Sequence, residues 1–257
     1  MSNFSDEVIG QSRHQFIYGE NGNKREEILR GIVRDNPIVM DENVPGSIYL
    51  ENDYLMSGGG FGIDKYRSLA ASREHFMFAI TGKLLEDALS LDIETRSDEF
   101  LSRINRLFVN SEHGLIEDLD SLVRVLYQAR DFYRDGYKSF LETGIFPSIE
   151  CLPIQFMDLN SFMHYYKKLL NNKSYFSVIV DQQVPISTLS KRAINDVVGR
   201  RINGDISMKV ACQPGEWETF LDLNGQLVEA THDYGVVELD ESLAQYVKKE
   251  KRETMGE

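Results

Sequence analysis

The stretch Gly19-Glu20-Asn21-Gly22-Asn23-Lys24-Arg25-Glu26 has the length and some of the residue types of a loop that handles phosphate. It follows a short apolar run, Phe16-Ile17-Tyr18, and leads through Glu27-Ile28-Leu29 into a helical pattern. Loops of the form G-x-x-x-x-G-K-[ST], set between a buried strand and a helix, hold phosphates on backbone N–H groups at the helix N-terminus. Their lysine reaches the outer phosphates and their hydroxyl holds Mg²⁺. On that frame Gly19 takes the first glycine position, Lys24 the second, Arg25 the lysine position and Glu26 the hydroxyl position. The length is kept and the three later positions are substituted. Lys24 brings a Cβ where close approach to phosphate needs glycine. Arg25 keeps a positive charge, but as a planar fork instead of a compact ammonium. Glu26, with Glu20 and Glu27 beside it, sets negative charge where phosphate oxygens would lie unless Mg²⁺ intervenes. Taken alone, the loop is explained equally well as an ordinary strand, turn and helix.

Phosphate chemistry on such a frame needs an acid from the end of a distant buried strand to help hold Mg²⁺. Val178-Ile179-Val180-Asp181 has that form, with Asp181 as the acid. The next residue is Gln182; a neutral amide can orient a water but cannot take its proton as a carboxylate does. Asp181 by itself reads as a strand-end acid, and its pairing with the Gly19 loop is what favours a site. The candidate nucleotide-binding set is therefore Gly19, Gly22, Lys24, Arg25, Glu26, Asp181 and Gln182. ATP with Mg²⁺ is the ligand such a set would take, and no residue is assigned a catalytic or metal-ligating role. A second glycine-rich stretch, Gly58-Gly59-Gly60-Phe61-Gly62, has no Lys-Ser/Thr behind it and reads as a loop.

These residues have to be positioned by strands and helices, and the pattern supplies them. Ile28, Leu29, Ile32 and Val33 recur at helical spacing, and Asn36-Pro37 stops that helix. Ser47-Ile48-Tyr49-Leu50 is a second strand. A long helical region follows: Tyr66 to Leu89, Phe100 to Phe108 and Leu115 to Leu141, whose aromatics read as core, with Glu117, Asp118 and Asp120 at a solvated helix start. Another helix spans Leu159 to Leu170. Tyr175 to Asp181 is β-branched, aromatic and nearly continuous, the signature of a strand buried on both faces. A helix from Ser187 to Arg201, a strand from Ile206 to Ala211, a hairpin turn at Asn224-Gly225 and a charged helix from Glu241 to Arg252 complete the chain. Strands alternating with helices predict an α/β fold: a parallel sheet flanked by helices, with a long helical insertion at about 64–145 and a C-terminal hairpin, as one domain over 1–257.

Composition limits the partners. A net charge of −13 repels a phosphate backbone and makes nucleic acid an unfavourable partner. Lys191-Arg192, Arg200-Arg201 and Lys248-Lys249 are local basic pairs that read as solvated helix faces or ends. No apolar run reaches the roughly 18 residues of a membrane span, and Met1 to Gln11 is polar and acidic, so a cytoplasmic location is expected. Cys151 and Cys212 read as separate thiols, and His75, His113 and His232, each beside an acid, lack metal-ligand spacing.

With these pieces in hand, the chain resembles AAA-type P-loop ATPases, and within them the bacterial origin-recognition-complex-like (ORC-like) AAA proteins often found beside mobile elements and defence genes. The resemblance is carried by Phe16 to Leu29, Ser47 to Leu50, the long helical insert, Phe176 to Gln182, Arg200 to Val210, and Asp233-Tyr234 with Val236 to Asp240. It covers most of the chain through pieces of moderate specificity. Members of that family normally carry an intact phosphate loop and an Asp-Glu pair, from which Lys24, Arg25, Glu26 and Gln182 depart. The resemblance implies a C-terminal helical lid, expected here to be minimal or absent, and offers Arg200 and Arg201 as an arginine finger toward a neighbouring subunit. A basic helix end explains those two residues as well. The expectation is a degenerate pseudo-ATPase that works by protein–protein contact in a homo-oligomer or heteromeric complex, with antiviral defence as the process the resemblance implies. An unusual but working ATPase, and a nucleic-acid-binding adaptor, are the alternatives.

Overall fold

The computed structural model describes residues 12–19, 23–39, 43–50, 65–182, 186–199, 205–230 and 232–239. Among these residues five strands form one sheet: β1 (His14–Tyr18), β2 (Gly46–Leu50), β3 (Phe176–Asp181), β4 (Ile206–Cys212) and β5 (Tyr234–Glu238). Their order is β2-β3-β4-β1-β5, and every pairing is parallel. Six helices are described: α1 (Asn23–Asp35), α2 (Lys65–Ala88), α3 (Glu94–Leu107), α4 (Leu119–Thr143), α5 (Leu159–Leu170) and α6 (Thr188–Gly199). The expected α/β class, a P-loop-like parallel sheet flanked by helices, is therefore the observed one. Among the described residues no helix is long and apolar enough to cross a membrane.

The sheet faces follow from strand alternation. On one face Ile17, Tyr49, Ile179, Ala211 and Val237 pack with Leu29 and Ile32 of α1. On the other, Phe16, Ile48, Val178, Val180, Met208 and Val210 join the larger core built with the remaining helices. β2, β3 and β4 are buried along their whole length, as parallel strands covered on both faces must be.

The insertion between β2 and β3 holds α2 to α5. In α4 the buried residues Leu119, Leu122, Val123, Leu126, Ala129, Tyr133, Tyr137 and Phe140 recur every three or four positions, so one stripe faces α2. Asp118 caps its start by accepting from Ser121 N at 2.6 Å, and Gly144, with φ 73°, ends it in the left-handed conformation. The solvated acids expected near this helix start include that cap.

Three features differ from the sequence reading. The tail supplies a fifth strand, β5, beside β1. The hairpin at Asn224-Gly225 is small: a single antiparallel bridge joins Leu221 and Leu227, and Asp222 Oδ1 accepts from Asn224 N and Gln226 N. Lys191 and Arg192, read as solvated, are buried. Lys191 Nζ donates to Glu216 O at 2.6 Å, and Arg192 Nε donates to Asp222 O at 2.8 Å. The carbonyls of the chain between β4 and β5 give these cations partners away from water, which their sequence neighbours could not reveal. The expected helix Glu241 to Arg252, the Gly58 to Gly62 loop, and Lys248-Lys249 lie outside the described residues.

Candidate functional site

The β1-to-β2 connection runs toward one edge of the sheet across the α1 face, whereas the connections into β3, β4 and β5 run the other way. The direction of winding thus reverses at β1. In open α/β sheets the crevice at such a reversal, beyond the carboxyl ends of the strands, is where ligands bind. Gly19 at the end of β1, Asp181 and Gln182 at the end of β3, and Arg25 in the first turn of α1 all converge there.

Arg25 fills the place where they meet. Its Nε donates to Asp181 Oδ1 at 2.9 Å and its Nη2 lies 2.7 Å from the same oxygen. Nη1 donates to Gly19 O at 3.0 Å, and Nη2 donates to Gln182 O at 2.6 Å. One guanidinium therefore ties the loop after β1 to the end of β3, across the width of the intervening strand β4. The Arg25 side chain is 1% exposed and that of Asp181 is 0% exposed, so the pair has little water to screen it. The planar fork that made arginine a poor lysine substitute is the shape this cluster uses.

The second oxygen of Asp181 is also occupied. Tyr49 OH donates to Oδ2 at 3.0 Å. Tyr49 is paired with Ile179 in the ladder, so its phenol reaches one pleat further along the same face. Burial, and then the negative charge of Asp181, raise the Tyr49 phenol well above its ordinary range and keep it a donor. Arg30 lies over the Tyr49 ring at 4.4 Å, and Glu26 accepts from Arg30 Nε at 2.7 Å. The Glu26 carboxylate, expected to crowd a phosphate, is thus engaged by a cation one turn along its own helix.

The cluster is closed from the side of β4 and β5 as well. Gly19 N donates to Cys212 O at 3.2 Å, and Gln182 N donates to Ala211 O at 2.8 Å. A Cβ on Gly19 would stand 2.9 Å from Leu239 Cβ and Cδ2, so glycine is required here by packing. Burial pushes the Cys212 thiol up to about 12, which leaves it an inert filler. Cys151, in the connection after α4, is an exposed thiol outside any disulfide, and its Sγ donates to Ser148 O at 2.9 Å.

Of the expected set, the structure brings together Gly19, Arg25, Asp181 and Gln182. Glu26 joins through Arg30 and Tyr49. Of Lys24 only the backbone, on α1, is described; Gly22, Arg200 and Arg201 lie outside the described residues. Tyr49 and Arg30 were missed. The available signal was the i,i+4 spacing of Glu26 and Arg30, together with the alternation that places Tyr49 on the α1 face of the sheet.

No protein family, no curated protein and no solved structure matches this chain.

Proposed function

We propose that this protein is a catalytically degenerate, pseudo-ATPase-like member of the P-loop architecture that acts through contacts with other proteins. The observation that carries the reading is the buried Arg25–Asp181 pair. Mg²⁺ would need lone pairs of Asp181, yet Oδ1 is held by Arg25 and Oδ2 by Tyr49. The residues present do not fit a Mg²⁺–nucleotide complex in this arrangement. Admitting one means breaking a fully buried ion pair, which costs about 3–5 kcal/mol. That penalty alone lowers affinity by roughly a hundred- to several-thousandfold. Gln182 adds a second deficit, because its amide cannot accept a proton from an attacking water.

On this reading Arg25 is a permanent internal counter-ion. It ties β1 to β3, the link a bound nucleotide and its metal would otherwise supply, and the fold holds one state without turnover. The resemblance to ORC-like AAA proteins suggests the setting: a homo-oligomer or a complex with an active ATPase or effector, within antiviral defence. A steady-state phosphate-release assay on purified protein tests the claim. Background release, unchanged in Asp181→Ala, is expected; steady turnover of ATP that Asp181→Ala abolishes would overturn it in favour of an unusual working ATPase.

A further inference from the structure

Away from the crevice, a cavity of about 550 Å³ opens between the N-terminal half of α2 and the chain that links α4 to α5. A smaller one of about 240 Å³ continues it toward α6. Both are lined by Arg73, Glu74 and Phe156, so the two form one groove. Ala70 and Ala71 give it a small-residue wall, and Tyr133, Phe146 and Phe156 give it aromatic surface. The volume is that of a binding site, and the lining sets apolar and aromatic wall beside charged groups.

The groove's charge is one-sided. Glu74, Glu150, Asp158 and Asp196 line it against the single base Arg73. Glu74 is held in place: Arg73 Nε and Nη2 donate to Oε1 at 2.9 and 2.7 Å, and Met157 N donates to Oε2 at 3.3 Å. Burial raises its carboxyl above the usual range, against the opposing pull of Arg73. The rim carries apolar surface. Among the described residues two of the exposed large hydrophobics, Ile149 and Phe156, line the groove. Clustered apolar exposure of that kind marks a contact surface.

We infer that this groove docks a segment of a partner protein in which apolar side chains alternate with, or are flanked by, arginine or lysine. Apolar side chains of the segment cover Ile149 and Phe156. Its cations meet the acidic walls and the faces of the aromatic rings. An acidic or phosphorylated segment, or a nucleic acid, meets like charge at the same place. The inference deepens the contact-protein reading and rests on it for the kind of task involved. It uses none of Gly19, Arg25 or Asp181, so peptide binding and nucleotide indifference can fail separately.

The test is fluorescence anisotropy with a short labelled peptide of alternating Leu and Arg, with Leu–Glu and Ser–Arg peptides as controls. Saturable binding of the Leu–Arg peptide is expected, with both controls at least about tenfold weaker. Glu150 and Phe156 are exposed, so Glu150→Lys and Phe156→Ser leave folding intact, and each weakens binding at least about fivefold. Asp98→Lys makes the same charge change at an exposed position of α3, outside the groove lining, and changes binding less than about twofold. Equal weakening by Asp98→Lys and Glu150→Lys, or wild-type affinity in Phe156→Ser, would overturn the inference. So would sedimentation velocity showing a wild-type dimer that Phe156→Ser dissociates, because the occupant would then be a second copy of the chain.

Discussion

Replacing Arg25 by methionine removes a charge that serves three acceptors at once. Asp181 Oδ1, Gly19 O and Gln182 O all lose the Arg25 donor, and the Asp181 side chain, 0% exposed, loses its buried counter-ion while Tyr49 still donates to Oδ2. Breaking a buried pair from one side costs about 3–5 kcal/mol, a large share of the roughly 5–15 kcal/mol that holds a domain folded. The assay is urea denaturation followed by circular dichroism, with the midpoint read at unchanged slope. Asp181→Asn and the double variant complete a cycle. Because the two side chains touch, the double variant should lose less than the sum of the singles, with a coupling of about 1–3 kcal/mol. A loss below about 1 kcal/mol for Arg25→Met, the size of an exposed pair, would refute the reasoning. So would additivity within about 0.5 kcal/mol.

Other expectations follow from neighbouring geometry. Tyr49→Phe deletes the donor to Asp181 Oδ2 and should cost about 1.5–3 kcal/mol by the same denaturation assay, while keeping the ring under Arg30. Gly19→Ala places a Cβ 2.9 Å from Leu239 and should cost about 1–3 kcal/mol through overpacking. His14 accepts from Met208 N through Nδ1 and is lowered from 6.5 to about 4, by burial first and then by Lys209, with Asp233 opposing. The unfolded chain binds that proton first, so stability should fall as pH drops from 6.5 to about 4, by on the order of 3 kcal/mol. His14→Gln should flatten that limb in a titration of urea midpoints. Burial lowers Lys209 from 10.5 to about 7, so stability should rise with pH between those values. Lys209→Met should remove that slope, with a neutral-pH gain smaller than the on the order of 4 kcal/mol implied by the shift, because Arg13 O and Gln15 Oε1 lose a donor.

The parts of the fold that sequence revealed are those whose signal is local. Phe176 to Asp181 is apolar enough to read as a doubly covered strand, and α4 carries its stripe over many turns. β5 escaped because Tyr234 to Glu238 is short, contains Gly235, and is half exposed at the sheet edge. Its place is set by pairing with β1, at the far end of the chain. The edge is also held by Phe16, whose ring packs against Trp217, Phe220 and Tyr234 at 5.2, 5.5 and 4.6 Å. The candidate site divides the same way. The positions of Gly19, Arg25 and Asp181 were legible from frame length and strand endings. What Arg25 does was not, because its partner lies 156 residues away. A charge facing solvent and a charge buried against a carboxylate look alike in sequence, as Lys191 and Arg192 demonstrate. The groove beside Glu74 had no sequence signal, since its walls come from α2, α4, α5, α6 and the chain between α4 and α5.

Isothermal titration calorimetry of ATP into the protein with Mg²⁺ present tests the central claim most directly. The buried Arg25–Asp181 pair predicts no saturable binding heat, with or without the metal, in the wild-type protein. Tight binding that requires Mg²⁺ and disappears in Asp181→Ala would contradict the account.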